Sequence, residues 1–253
     1  MLVFPSLSSA QIVVSDDFTA ADGTPLAGRV PPVGQAWTET AGTPMTIVNG
    51  IIDTTGGDHT AFVPLTQPFD GSSRLFKLTV DFTTLTNTAG YAGISLFNGT
   101  SERAFFGHLS GATPSIGVQV NRGPKLYANP AKPIGLVTLL YDFVTGRTTI
   151  YDGDTITGPV LLSTLATPGL VFDRLRLQNG SGANIAISSL SGEILAHGPL
   201  TIDQFEPDAT ITLQNSPPLL YWGTSFADQV TITPGFGTVD PSGFTPINVT
   251  PGD

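Results

Sequence analysis

The stretch Leu75-Phe-Lys-Leu-Thr-Val-Asp-Phe82 alternates without a break. Phe76, Leu78, Val80 and Phe82 fall on one face of an extended chain, and Lys77, Thr79 and Asp81 fall on the other. That period of two is what a half-buried strand requires, whereas a helix would scatter the four apolar residues around its axis. Ser115–Val120 repeats the pattern, with Ile116, Val118 and Val120 turned inward. Met45–Val48 and Ile51–Thr54 flank Asn49-Gly50, the dipeptide that most readily takes the positive φ angles of a type I′ turn, so a hairpin is predicted there. Further strands are predicted at Tyr91–Phe97, Ala104–Leu109, Leu136–Phe143, Arg147–Tyr151, Leu170–Leu177 and Ile185–Leu190. Turn-forming clusters separate them at Asn98-Gly-Thr100, Thr145-Gly146, Asp152-Gly-Asp154 and Asn179-Gly-Ser-Gly182. About twelve strands, spaced roughly 8–15 residues apart with no helical period between them, predict an antiparallel sandwich, and that number suits a two-sheet jelly roll.

Composition agrees. The chain has 253 residues with 29 Gly, 21 Pro and 34 Thr, a mixture from which long helices are hard to build. Its 40% apolar content still supports a core. Charged residues make up only 12%, and ten Lys plus Arg stand against twenty Asp plus Glu for a formal charge of −10. The ten cations are scattered singly between Arg29 and Arg176. Nucleic acid and anionic membrane surfaces, which need a basic patch, are excluded as expected partners. The chain has no cysteine, which removes disulfides, thiolate metal sites and cysteine nucleophiles together.

The N-terminal Met1–Gln11 runs from apolar to small residues, and Ser8-Ser9-Ala10 fits the small-x-small rule of signal cleavage. Residues 1–11 are therefore predicted to be the remnant of a signal peptide, and the protein to be secreted or displayed at a cell surface. No run approaches the ~20 apolar residues of a membrane-spanning helix. Around Ala196-His-Gly-Pro199 the texture changes, and the remainder holds one Trp and no Lys or Arg. The predicted organisation is a β domain over 12–196 followed by a smaller one over 200–253.

Two stretches resemble known families. Asp16-Asp-Phe-Thr-Ala-Ala-Asp-Gly-Thr-Pro-Leu-Ala-Gly-Arg29, followed by Gly34 and Trp37, resembles the opening of bacterial concanavalin A-like (laminin G-like) jelly-roll domains. Tyr91–Phe97, Tyr141–Arg147 and Ile187–Gly192 agree in kind. The resemblance implies a two-sheet jelly roll, in a superfamily that hosts lectins, adhesion modules, glycosidases and spacers. Phe205–Ile211, Leu220-Tyr-Trp222, Ala227–Ile232 and Pro234–Val239, with Ser242-Gly243, resemble bacterial Ig-like repeats of surface proteins. Gln214–Pro218 departs from their short glycine turn, and the chain stops at Asp253 where a last strand pair belongs, so a partial Ig-like unit is expected.

No arrangement of residues announces catalysis. A glycosidase needs two carboxylates roughly 5–10 Å apart across one sugar. The four Glu, Glu39, Glu102, Glu193 and Glu206, lack an acidic partner nearby on a predicted strand, and Asp208 beside Glu206 lies in a linker-like turn. His59 is placed in a Gly-rich turn, His108 in a strand and His197 in a linker, without the spacing of a metal cluster and without a Gly-x-Ser-x-Gly elbow. Calcium is the one cofactor left open, at Asp152 and Asp154 first, then at Asp16, Asp17 and Asp22, although Asp-Gly is also ordinary turn chemistry. Aromatic faces offer sugar stacking, with Tyr127 first, then Tyr91 and Tyr151, while Trp37 and Trp222 are expected to anchor their own domains. Asn98, Asn179 and Asn248 open glycosylation sequons. The reading is a non-catalytic binding or adhesion protein, with glycans or other surface proteins as partners. A jelly-roll hydrolase or lyase and a ligand-free spacer are the alternatives, and no ligand-binding residue is assigned.

Overall fold

The computed structural model describes residues 2–3, 10–54, 57–86, 90–110, 115–180, 182–195, 201–207, 219–225, 230–232, 237–239 and 242–246. In chain order the strands are β1 (Leu2–Val3), β2 (Gln11–Asp16), β3 (Thr24–Pro25), β4 (Thr38–Gly42), β5 (Thr46–Val48), β6 (Ile51–Asp53), β7 (His59–Phe69), β8 (Leu75–Thr86), β9 (Tyr91–Asn98), β10 (Ser101–His108) and β11 (Ile116–Val120). They continue with β12 (Lys125–Tyr127), β13 (Gly135–Asp142), β14 (Arg147–Asp152), β15 (Val160–Leu165), β16 (Phe172–Gly180), β17 (Asn184–Leu195), β18 (Thr201–Pro207), β19 (Leu219–Ser225), β20 (Val230–Ile232), β21 (Gly237–Val239) and β22 (Ser242–Pro246). There is no helix among the described residues.

Two compact units result. The larger runs from β2 to β17 and is a sandwich of two antiparallel sheets, a jelly-roll architecture. One sheet has seven strands in the order β12-β11-β10-β9-β16-β7-β4. The other follows β15-β14-β13-β8-β17-β6-β5-β3, with β2 also paired to β17. The smaller unit holds two three-stranded sheets, β1-β20-β21 and β18-β19-β22. Leu2–Val3 thus forms a strand against Thr231–Ile232, and Trp222 is buried on β19 opposite Phe205 and Gly243.

Strand alternation builds the core. Phe76, Leu78, Val80 and Phe82 of β8 are wholly buried, while Lys77 on the opposite face ion-pairs with Glu193, its neighbour across β17, at 2.9 Å. Phe69 from the seven-stranded sheet meets Phe76, Tyr141 and Phe172 at centroid separations of 5.7, 6.2 and 5.6 Å. Such aromatic packing adds to the roughly 25 cal/mol gained per Å² of buried apolar surface. The Asn49-Gly50 hairpin forms between β5 and β6 with φ of 53° and 70°.

Sequence and structure part company at three places. Among the described residues the larger unit has sixteen strands, not about twelve, because β3, β4 and β12 are short or polar and the largely apolar β15 does not alternate. His59 opens the eleven-residue β7 and is buried, with Nδ1 2.6 Å from the Thr43 carbonyl, instead of lying in a turn. Pro64 and Pro68 mask this strand in the sequence, yet β4 pairs with β7 only from His59 to Phe62, so both prolines fall past that ladder. Asn179 and Gly180 continue β16 rather than turning. The buried Asn179 side chain accepts from the His59 N–H at 2.9 Å and donates to the Gly57 and Ala183 carbonyls at 2.9 and 2.6 Å.

The Asp16–Trp37 stretch is built around one carboxylate. Asp16 Oδ1 accepts the Phe18 N–H at 2.8 Å, holding Phe18 at φ 52°. Its Oδ2 accepts the Trp37 indole N–H at 2.9 Å and the Arg29 guanidinium. The motif that carries the family resemblance therefore assembles a buried network that ties β2 to the loop before β4.

Asp173 at the start of β16 holds the β9–β10 turn. Its Oδ2 accepts the Gly99 N–H at 2.8 Å, and its Oδ1 accepts from Arg174 Nε at 2.8 Å. Burial opposes ionisation of this carboxyl, but the bonds from Arg174 and Gly99 outweigh it and hold it below its ordinary 3.8. A depressed folded value means stability that is whole above 3.8 and lost as the pH falls through the lower folded value. We expect Asp173→Asn to destabilise by about 1 kcal/mol or less at neutral pH. The gap from wild type should close below 3.8 in denaturant titrations run across the acid range.

Candidate functional site

Pairing in the seven-stranded sheet puts Ala92, Ile94, Ala104, Phe106, Ile116, Val118, Leu175 and Leu177 into the core. The residues between them therefore stand on its outer face. Two cross-strand rows follow from the register. The first is Arg176–Ser95–Phe105–Gln119–Lys125, running from β16 through β9, β10 and β11 to β12. The second, two residues further along, is Gln178–Gly93–Gly107–Gly117–Tyr127. At about 4.8 Å per strand each row spans about 19 Å. The three glycines are obligatory: a Cβ on Gly93, Gly107 or Gly117 would stand 2.3, 2.6 or 2.3 Å from a backbone oxygen of the next strand.

A cavity of about 250 Å³ opens on this face, lined by residues that include Tyr91, Glu102, Phe105, Lys125, Arg176 and Gln178. Glu102 is at its polar end. Its Oε1 accepts from Ser95 Oγ, from Arg176 at 3.0 Å and from Gln178 Nε2 at 3.1 Å, while Oε2 has no protein partner among the described residues. Gln178 Nε2 also donates to Ser95 Oγ at 2.6 Å. The Arg176 guanidinium lies over Phe97 at 4.2 Å and near Phe62 at 5.9 Å, a cation–π stack that fixes its plane. Burial pushes Arg176 below its ordinary value, opposed by the Glu102 carboxylate. Tyr91, 39% exposed, meets Phe105 edge-on at 6.1 Å. The result is an aromatic corner beside a polar end with an unused carboxylate oxygen. A larger cavity of about 420 Å³, between β11–β12 and β15, is lined by Val118, Val120, Leu126 and Leu165 among others and contains no ionisable side chain.

Of the tyrosines expected to stack sugars, Tyr91 lines the cavity and Tyr127 ends the glycine row. The Tyr127 hydroxyl donates to the Leu109 carbonyl at 3.3 Å, and burial pushes the phenol above its ordinary value of 10.0. Tyr151 belongs to the other sheet, on β14. The glutamates of the larger unit do not converge. Glu39 caps the Met45 N–H at 2.8 Å, Glu193 pairs with Lys77, and Glu102 is alone among carboxylates in the cavity. Glu206 is on β18 of the smaller unit, and Asp208 lies outside the described residues.

His59 and His108 are buried in β7 and β10, and His197 lies outside the described residues. The aspartates considered for calcium are spread among separate tasks. Asp16 is filled by its three donors, Asp17 Oδ1 accepts the Thr19 N–H at 3.0 Å, and Asp22 Oδ1 accepts the Asn49 N–H at 2.6 Å. Asp152 pairs with Lys132 at 2.7 Å, and Asp154 is exposed. No group of three acidic or histidine side chains suited to a metal occurs among the described residues. Trp37 is wholly buried, the sequon residue Asn179 is buried, and Asn248 lies outside the described residues. Arg176, Gln178, Gln119, Lys125, Ser95 and Phe105 were not singled out from the sequence. The polar alternation in Arg174-Leu-Arg-Leu-Gln178 was the available signal, since it marks one face of a strand without naming its neighbours.

No family model matches the sequence, and no curated protein matches it. Among solved structures, the chain is similar to the CBM2 module of Lactobacillus casei BL23 phage J-1 evolved Dit, at 14% identity over 74% of this chain and 96% of that one, with a TM-score of 0.46. It is similar to a glycosyl hydrolase family 16 protein from Mycobacterium smegmatis at 13% identity, over 72% and 100% of the two chains, with a TM-score of 0.43. The VIP36 exoplasmic/lumenal domain in its Ca2+/Man3GlcNAc-bound form shares 14% identity over 62% and 84%, with a TM-score of 0.36. The fold stands on the sheet order and the chemistry on the side chains of the outer face.

Proposed function

We propose that the protein is a non-catalytic binding or adhesion protein, secreted or displayed at a cell surface, whose ligand is a glycan held on the outer face of the seven-stranded sheet. The observation that carries this reading is the pairing of an aromatic corner, the exposed Tyr91 backed edge-on by the buried Phe105, and a locked polar end at Glu102. A sugar ring has an apolar face that stacks on such a corner and an edge of hydroxyls that Glu102 Oε2, Gln119 and Gln178 can bond. The network is preorganised, because Arg176, Gln178 and Ser95 already fix the carboxylate before a ligand arrives. Hydrolysis of a glycosidic bond needs a second carboxylate facing the first. The partners of Glu102 are instead a guanidinium, an amide and a hydroxyl. The smaller unit, in this reading, is an Ig-like spacer or attachment module.

A panel of immobilised glycans, followed by calorimetry on the hits, tests the proposal. Tyr91→Ala is expected to weaken binding about tenfold with little change in thermal stability, since that ring is partly exposed. Product release by the wild-type chain that disappears in Glu102→Gln would overturn the non-catalytic reading in favour of a hydrolase. Failure to bind any glycan would leave the spacer reading in its place.

A further inference from the structure

The first cross-strand row carries a cation at each end, and only one of them is neutralised. Arg176 is held by Glu102. Lys125, exposed on β12, has no carboxylate within ion-pairing distance among the described residues. Its ammonium donates to the Ser110 carbonyl at 2.9 Å and to Ser110 Oγ at 2.7 Å. Two of its three N–H groups are thereby used to hold it in place, and the third is left for a ligand. The cavity thus contains two cations against one anion in a chain whose formal charge is −10. An unneutralised cation fixed beside a cavity on so acidic a protein favours an anionic ligand.

Between the two ends lies the glycine row. Gly93, Gly107 and Gly117 are buried, and a Cβ on Gly93 or Gly117 would meet the Phe105 or Leu109 side chain at 3.0 or 3.1 Å. The surface offered to a ligand between the two ends is therefore that of Tyr91, Phe105, Leu109 and Gln119. A chain laid over those side chains reaches from Gln178 to Lys125.

We infer that the ligand is an acidic glycan, a uronic-acid oligomer lying across the strands, with Lys125 bonding a sugar carboxylate and the Glu102–Gln178 end bonding neutral hydroxyls. This rests on the reading of the face as a glycan site and names the class of glycan it takes. The carboxylate meets the free ammonium N–H in a charge-assisted bond, while the fixed anion of Glu102 keeps acidic groups from the opposite end and so sets the direction of the chain.

The test titrates a panel of oligouronates of differing linkage, and their carboxyl-reduced neutral counterparts, into the full chain. Wild type is expected to bind at least one oligouronate about tenfold more tightly than its reduced counterpart, with the preference shrinking as salt rises. Lys125→Gln should abolish the preference, bringing the affinity for the oligouronate down to that for its neutral counterpart, whereas Lys125→Arg should keep the preference. Equal affinity of wild type for both forms, or a preference that survives in Lys125→Gln, would overturn the inference. The glycan site itself would still stand if Tyr91→Ala weakened neutral binding. Absence of binding to every member of both series would overturn the inference, and absence of binding across the immobilised glycan panel would overturn the glycan site with it.

Discussion

Asp16→Ala is expected to cost the fold about 3–5 kcal/mol, the range for breaking a buried ion pair from one side. Asp16 is 1% exposed and accepts from Phe18, Trp37 and Arg29 at once. Truncation leaves three liabilities: the Arg29 guanidinium, with 12% of its side chain exposed, without its ion-pair partner, a buried indole N–H, and Phe18 at a positive φ without the bond that holds it there. Asp16→Asn keeps an oxygen for one or two of these donors but not the charge, so it should lose less. Urea denaturation followed through Trp fluorescence measures both, since Trp37 is itself a partner of the network. A loss below ~1 kcal/mol for Asp16→Ala would show that the carboxylate does not hold β2 to the loop before β4.

Arg176→Ala should reduce glycan binding at least a hundredfold, with a smaller stability loss of about 1–2 kcal/mol. The guanidinium does two things: it lies over Phe97 at 4.2 Å, and it donates to Glu102 Oε1 at 3.0 Å. Without it, Ser95 and Gln178 alone face a partly buried carboxylate, and Glu102 is free to leave the geometry that presents Oε2. Arg176→Lys retains the charge but neither the flat stack nor the fork of donors, so it should recover stability more than affinity. Calorimetry and thermal melts on the two variants separate these contributions. Equal affinity for wild type and Arg176→Ala would remove the polar end from the site.

The Asp16 network also shows how a motif can be legible while its job is not. Asp16, Arg29 and Trp37 stand out in the sequence, and Asp16 with Asp17 has the oxygen chemistry calcium uses. Folding brings the indole and guanidinium onto Asp16, and its oxygens are taken up by structure. The same holds for Glu102. Read locally it is an isolated glutamate, because its partners Arg176 and Gln178 lie 74 and 76 residues away.

Alternation and turn residues carry information over a few positions, so the runs at Leu75–Phe82 and Ser115–Val120, and the Asn49-Gly50 hairpin, sufficed to reveal an all-β chain with two apolar inner faces. Short polar strands and the proline-marked β7 escaped, since they owe their place to neighbours and not to their own pattern. Where the outward side chains meet is a matter of register between distant strands. A slip of one residue would turn Arg176, Ser95, Phe105, Gln119 and Lys125 inward and dissolve their row. That register is set by packing the buried faces of both sheets, a long-range condition no local stretch of residues contains.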